Sequence, residues 1–363
     1  MGHSTDPTVA LDEKVRAAAA QGGVYAFNLS AGADSTATAF AAMAWLDSVG
    51  HPRDRRLAIH ADLGRAEWRS TPDTVAATAA FLGLPLVVVR KTSGDLVARW
   101  ENRFDNGLAR FARMETYFLV GPWSSAKLRF CSGEQKAQVI GPHLARRFAG
   151  EEIVQVLGIR RDESAERKHT PVSKVDTRFA KPGNRAGTSM LVWHPGVEWT
   201  KDEVFACHTR HGIPLHEAYT AYGSTRLSCA FCVLGSLRDL QAASRAAGNL
   251  DLYLHLVALE ARSTFSFQPS RWLADIAPRL LTAGLARDVE RAKHDAAHRR
   301  AIEAAMPAGL RYVRGWPPHL PDPAGAAAIA DGRRPILSRH GLPDLYPTAD
   351  DVIRRFGELR AAA

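Results

Sequence analysis

The chain has little cysteine: Cys131, Cys207, Cys229 and Cys232 are the four in 363 residues, too few and too unevenly spread for a disulfide framework. It has no apolar run of about eighteen residues, which leaves no candidate for a membrane-spanning helix. Its first residues lack the basic-then-apolar order of a secretory signal. These absences lead to the expectation of a cytoplasmic protein with no membrane partner. No internal repeat or low-complexity tract is visible either, so no repeat architecture is expected.

What is present is apolar and basic. Hydrophobic residues make up 46% of the chain, enough to bury a full core in one large domain with an appendage. Lys and Arg number 47 against 38 Asp and Glu, a formal charge of +9 that favours acidic partners such as nucleotides, nucleic acid or acidic proteins.

The apolar pattern predicts a helix over 7–22, a buried strand at VYAFNLS (24–30) and a helix over 36–49. A strand over 56–64, a helix over 71–82 and a strand over 85–91 follow, with a further strand in EEIVQVLGIR (151–160). Strands alternating with helices predict an α/β fold, a parallel sheet with helices on both faces in the Rossmann-like manner. Ligands of such sheets bind at the carboxyl ends of the strands, where the loops at 30–35, at 60–64 and after Gly158 emerge. A short helix is expected in TKDEVFACHTRHG (200–212), ahead of a Cys-x-x-Cys. The expected organisation is an N-terminal extension over 1–19, a main domain over 20–245 and a mostly helical C-terminal region over 246–363.

In SAGADST, Gly32 removes bulk so that backbone can approach a ligand, and Ser30, Ser35 and Thr36 supply hydroxyls beside Asp34. The backbone N–H groups opening the next helix favour an anion. The Gly-Lys-Ser/Thr ending of a Walker loop is missing, and an ordinary strand-to-helix turn fits the stretch taken alone. Arg160, Arg161 and Arg167 offer guanidinium forks to phosphate or sulfate oxygens, with Glu163 orienting one of them; a salt-bridged helix start is the plainer reading. Asp62, Gly64 and Glu67 suit a sugar or a phosphate-bound Mg²⁺ ion, and Lys136 a phosphate contact, though exposed acids and a solvated lysine read the same way.

Ser-x-Gly-x-Asp-Ser after a first strand resembles the PP-loop of the adenine nucleotide alpha-hydrolase superfamily. The later segments are most similar to its phosphoadenosine phosphosulfate (PAPS) reductase branch: HADLGRAE (60–67), RFCSGEQK (129–136), GIRRDESAER (158–167), Trp199-Thr200, YGSTR (222–226) and Cys229 to Cys232. The resemblance spans roughly residues 20–265. It implies an adenine nucleotide substrate, ATP or PAPS/APS, with Asp34, Asp62, Arg160 and Glu163 in catalytic roles. It also places Cys131 near Cys229 and Cys232, as in relatives that carry a 4Fe-4S cluster on four cysteines.

Three departures modify that expectation. Ala33 stands where many PP-loops have lysine, and Cys131-Ser132 replaces a Cys-Cys pair. Cys207 is then a candidate fourth ligand, His208, His211 and His216 are alternatives that would make a zinc site, and two structural thiols remain a further reading. No cysteine follows Cys232, where reductases of the branch use one in a C-terminal tail as nucleophile. The reading that fits best is an ATP-using sulfurtransferase or ATP pyrophosphatase that splits ATP between its alpha and beta phosphates. It would thiolate a nucleic acid or small molecule, with a cysteine desulfurase or thiol reductant as partner. Sulfate reduction with an external thiol, and nucleotide sensing or nucleic-acid binding without catalysis, are the alternatives. For the last, LARDVERAKHDAAHRR (285–300) carries five Lys or Arg and three acids, a balance that also suits a solvated helix face.

Overall fold

The computed structural model describes residues 7–362; residues 1–6, the start of the expected N-terminal extension, and residue 363 lie outside the described residues. The elements run α1 (Glu13–Ala20), β1 (Val24–Asn28), α2 (Ala33–Ser48), β2 (Arg56–Asp62), α3 (Thr71–Phe81), β3 (Leu86–Arg90) and α4 (Leu96–Ala112). A one-turn α5 (Phe130–Ser132) passes through a π-helical turn, Gly133–Ala137, into α6 (Gln138–Arg147), followed by β4 (Glu152–Val156), β5 (Ser173–Val175) and β6 (Ser189–Trp193). Helices α7 (Lys201–His211), α8 (Glu217–Thr220), α9 (Leu237–Arg245), α10 (Leu250–Ser263), α11 (Ala283–Ala305), α12 (Pro323–Arg339) and α13 (Ala349–Ala361) complete the chain.

The sheet order is β3-β2-β1-β4-β6-β5. Every pairing is parallel except β5 with β6, so the expected parallel sheet gains an antiparallel edge. The near-continuous apolar runs follow from burial on both faces. Tyr25, Phe27, Val154 and Trp193 pack on one face in a cluster with α1, α2 and α3 residues such as Val15, Leu46 and Val75. On the other face Val24, Ala26, Ile59 and Ile153 pack with Ile140 and Leu144 of α6. The order reverses between β1, which leads on to β2, and β4, so a crevice opens there at the strands' carboxyl ends.

Contacts divide the chain into two compact units: residues up to 96 with 126–250, and 97–125 with 251–363. The second unit is helical and has its own core, with Met114, Tyr117, Trp316, Ile329 and Phe356 in one cluster and Phe104, Phe111, Ile336 and Leu337 in another. Among the described residues no helix is long and apolar enough to cross a membrane.

Candidate functional site

The loop after β1 owes its form to a few small residues. Ala31 takes a left-handed backbone (φ 57°), and Gly32 caps α2 without a side-chain bond. The Ser35 hydroxyl donates to the Gly32 carbonyl at 2.9 Å and stands 3.2 Å from the Ser30 hydroxyl, so both serines lie at the open end of the helix. Thr36 is buried more deeply and bonds the Gly32 carbonyl at 3.2 Å. The first turn is anchored from below: the Tyr219 hydroxyl accepts from the N–H groups of Ala33 (3.3 Å) and Leu227 (2.8 Å), and His208 Nε2 meets the Ala33 carbonyl at 2.9 Å. Gly158 presses on it from the segment after β4, since a Cβ there would lie 2.6 Å from Ser35 N and Cα. Ala33 is itself buried against Trp199, Val204 and Cys207.

Above the β1–β4 crevice is a cavity of about 360 Å³, of the size that holds small-molecule ligands. Asn28, Ser30, Ser35, Lys136, Gln155 and Arg167 line it, with Asp176, Arg178 and Phe179 on a further wall. Gln155 is the one polar residue in the IVQVL run, a signal of a ligand-facing strand position. Arg178 chelates Asp176, with Nε to Oδ1 at 2.8 Å and Nη2 to Oδ2 at 2.6 Å. Burial pushes the Asp176 carboxyl up, but the Arg178 bonds outweigh it and hold the pKa below the usual range. The Arg178 side chain remains 60% exposed.

The three arginines after β4 have different surroundings. Arg160 is buried and donates from Nε to Asp34 and from Nη1 to Asp162. Arg161 is turned to Glu198 and the Thr170 carbonyl, the latter at 2.9 Å. Arg167 pairs with Glu163 and faces the cavity. Burial lowers the Arg167 pKa, and the guanidinium groups of Arg129, Arg226 and Arg160 lower it further against the opposing pull of Asp34. Such crowding of like charge is relieved by an anion. A second cavity, of about 290 Å³, is lined by Asp34, Arg160, Lys201, Tyr219 and Arg226.

The loop after β2 is tied to itself. Asp62 accepts from the Gly64 N–H at 2.7 Å and from Arg90 at 2.6 Å, and Gly64 (φ 66°) leaves no room for a Cβ beside Asp95. Glu67 pairs with His60 at 3.3 Å, and the Leu29 carbonyl holds the other ring nitrogen at 2.9 Å. Burial, the largest influence on His60, lowers its pKa, yet Glu67 and Leu29 together raise it overall. The structure therefore does not place Asp62, Gly64 or Glu67 on the wall of the larger cavity.

Of the four cysteines, three share an environment. Burial pushes the Cys229 thiol up, and Cys232 and Cys131 add to the shift while nearby Lys136 opposes it. Cys232 Sγ receives the Leu234 N–H at 3.4 Å and Arg226 Nη2 at 3.6 Å, donors suited to a thiolate ligand. The donor type fits an iron–sulfur or zinc centre. Among the described residues, however, no three Cys, His, Asp or Glu side chains are gathered closely enough to hold a metal ion. Cys207 is fully buried in the apolar cluster of α7 with Val204 and Ile213. His208 bonds the Ala33 and Ile213 carbonyls, His211 stacks on Phe40 at 4.6 Å, and His216 caps α8 while meeting Ser70 at 3.1 Å.

Comparison with known proteins agrees with this geometry. The model of the phosphoadenosine phosphosulfate reductase domain matches residues 24–234, more than half of the chain. An uncharacterized 37.8 kDa protein in the gpa 5' region of Escherichia phage 186 is 31% identical over 118 residues, 31% of this chain and 32% of that protein. The chain thus matches about a third of the length of that curated relative.

Proposed function

The chain belongs to the phosphoadenosine phosphosulfate reductase domain family, and from that premise we propose that it binds ATP in the β1–β4 cavity and cleaves it between the alpha and beta phosphates. The observation that carries this reading is the shared rim: the Ser30–Ser35 loop at the start of α2, Lys136, and Arg167 crowded by Arg129, Arg160 and Arg226. Phosphate chemistry asks the protein mainly for positioning and charge neutralisation.

In the proposed reaction an oxygen of the acceptor, a nucleic acid or small molecule, attacks the alpha phosphorus. The bond to the bridging oxygen breaks and pyrophosphate leaves with the electron pair. The terminal sulfur of a persulfide on a cysteine desulfurase then attacks the activated carbon and displaces AMP, and a thiol reductant cleaves the resulting disulfide to leave the thiolated acceptor and a mixed disulfide. Ser30 and Ser35 hold the phosphates at the positive end of α2, whose Ala33 N–H is kept by Tyr219; Arg167 and its neighbours neutralise them, and Arg160 fixes Asp34 and Asp162. Asp62, Gly64 and Glu67 act by shaping the β2 loop, and Arg161 by fixing the segment after β4. Cys131, Cys229 and Cys232 are the donor type of an iron–sulfur cluster and share an environment, although they are not gathered closely enough here to hold a metal; a cluster bound by them would supply a thiophilic centre, and no step above runs through it.

A second reading takes PAPS as the substrate, because Arg178 on the cavity wall, although paired with Asp176, keeps a side chain exposed enough to meet an additional phosphate. Equilibrium binding separates the two. Tighter binding of ATP than of PAPS supports the first, and a PAPS preference that Arg178→Ala abolishes supports the second.

A further inference from the structure

The helical unit holds a small cleft of about 60 Å³ where the C-terminal half of α11 faces the end of α12. Its lining includes Thr264, Asp295, His298, Arg299, Arg339 and His340, all from that unit. This is room for one small ion or about two waters.

Arg299 is the unusual member. Its side chain is 8% exposed, stacks 3.7 Å over the Phe265 ring, and gives Nη1 to Glu303 at 3.0 Å and Nη2 to the Thr264 carbonyl at 3.2 Å. Its Nε has no hydrogen-bond partner among the described residues, a costly state for a buried charged donor. Arg333 also keeps an unpartnered Nη1, but it does not line this cleft. Thr264, whose carbonyl holds Arg299, has a left-handed backbone (φ 59°) uncommon for a β-branched residue.

The lining carries two guanidinium groups, Arg299 and Arg339, against one carboxylate, with Glu303 paired to Arg299 outside it. Asp295 is the one carboxylate in the lining and is engaged by Arg339. Burial pushes His340 down to about 4, and Arg339, Arg299 and Arg262 push in the same direction, so its ring is neutral at pH 7. A bound anion would satisfy the Arg299 donor and relieve the repulsion among the guanidinium groups.

We propose that this cleft is a binding site for a tetrahedral oxyanion, a phosphate or sulfate group, held by Arg299 with Arg339 and His298 at its mouth. The same chemistry is offered by a free inorganic ion and by the phosphodiester of a nucleic acid. The site lies wholly within the helical unit, so it stands or falls separately from the nucleotide cavity.

Histidine side-chain NMR of the full chain reads it directly. Inorganic phosphate is titrated at constant ionic strength, with chloride as the control. The expected result is saturable shifts of the His298 and His340 ring resonances, weakened at least tenfold in Arg339→Ala and in Arg299→Lys. The first variant alters an exposed side chain and keeps the proposal testable if the second does not fold. A single-stranded oligonucleotide that reproduces the shifts identifies the phosphodiester source, and shifts with phosphate alone identify the free ion. Shifts that do not saturate, that chloride matches, or that persist unchanged in Arg339→Ala overturn the site.

Discussion

Arg160 donates from Nε to the Asp34 carboxylate, joining the segment after β4 to the first turn of α2 across 126 residues of sequence. The arginine is buried, so its fork is fixed before any ligand arrives. Removing it leaves Asp34 and Asp162 without their counter-charge on the wall of the neighbouring cavity, beside the first turn of α2. Arg160→Ala is expected to weaken nucleotide binding by about 2 kcal/mol or more, roughly thirtyfold, as truncation of hydrogen-bonded charge pairs does. Calorimetric titration checks this, and unaltered affinity removes Arg160 from the account.

Gly158 tests the loop without touching a charge. In Gly158→Ala the new Cβ meets backbone of Ser35 and Asp34 at 2.6–2.7 Å, and no flexible side chain is there to yield. The expected outcome is a stability loss of about 1–3 kcal/mol, the usual cost of overpacking, together with loss of nucleotide binding. Thermal melts with and without nucleotide separate the two effects. A variant that melts lower yet binds normally shows that loop position is not critical.

Asp239 links acid stability to the Arg226 loop. Its carboxylate accepts from Ser224, from the Thr225 N–H and hydroxyl, and from Ser236. Burial raises its pKa, but these bonds outweigh that and hold it at about 2 against an ordinary 3.8. Because the folded value is depressed, the stabilisation is present above pH 4 and is lost as pH falls through 2. The difference corresponds to about 2 kcal/mol. Denaturant melts across pH 2–6 should show this loss in the native sequence, and a flatter, lower profile in Asp239→Asn.

The thiols give a compositional prediction. Protein purified anaerobically should carry iron and sulfide, absent after Cys229→Ser and unchanged after Cys207→Ala, because Cys207 is enclosed in the apolar cluster of α7. Colourless protein with stoichiometric zinc contradicts the cluster assignment, and retention of iron in Cys229→Ser removes that cysteine from it.

The strand–loop–helix at 24–48 was legible because an apolar run ends in small residues before helical spacing begins. The same was true of β2, α3 and β3. The β5–β6 edge was not, since Ser-Lys-Val is too short to carry a periodic signal and its pairing depends on distant residues. The grouping of 97–125 with the C-terminal helices depends on tertiary contacts in the same way. At the site, strand order put the loops of Ser30, Ser35 and Arg167 on one rim and residue type made Lys136 a phosphate contact; all four line one cavity. Residue type alone did not reveal that Asp62 is occupied by Arg90 and Gly64, or that Arg178 lies on the cavity wall. Tyr219, which anchors α2, gave no local sign at all.

The most direct test of the nucleotide reading is product analysis with ATP labelled in the alpha phosphate, with a cysteine desulfurase, cysteine and bulk nucleic acid present. The account predicts AMP and pyrophosphate in equal amounts, dependent on the nucleic acid and lost in Arg160→Ala. Formation of ADP and phosphate contradicts it. So does release of sulfite from PAPS with thioredoxin when ATP is left intact, or binding of ATP without turnover.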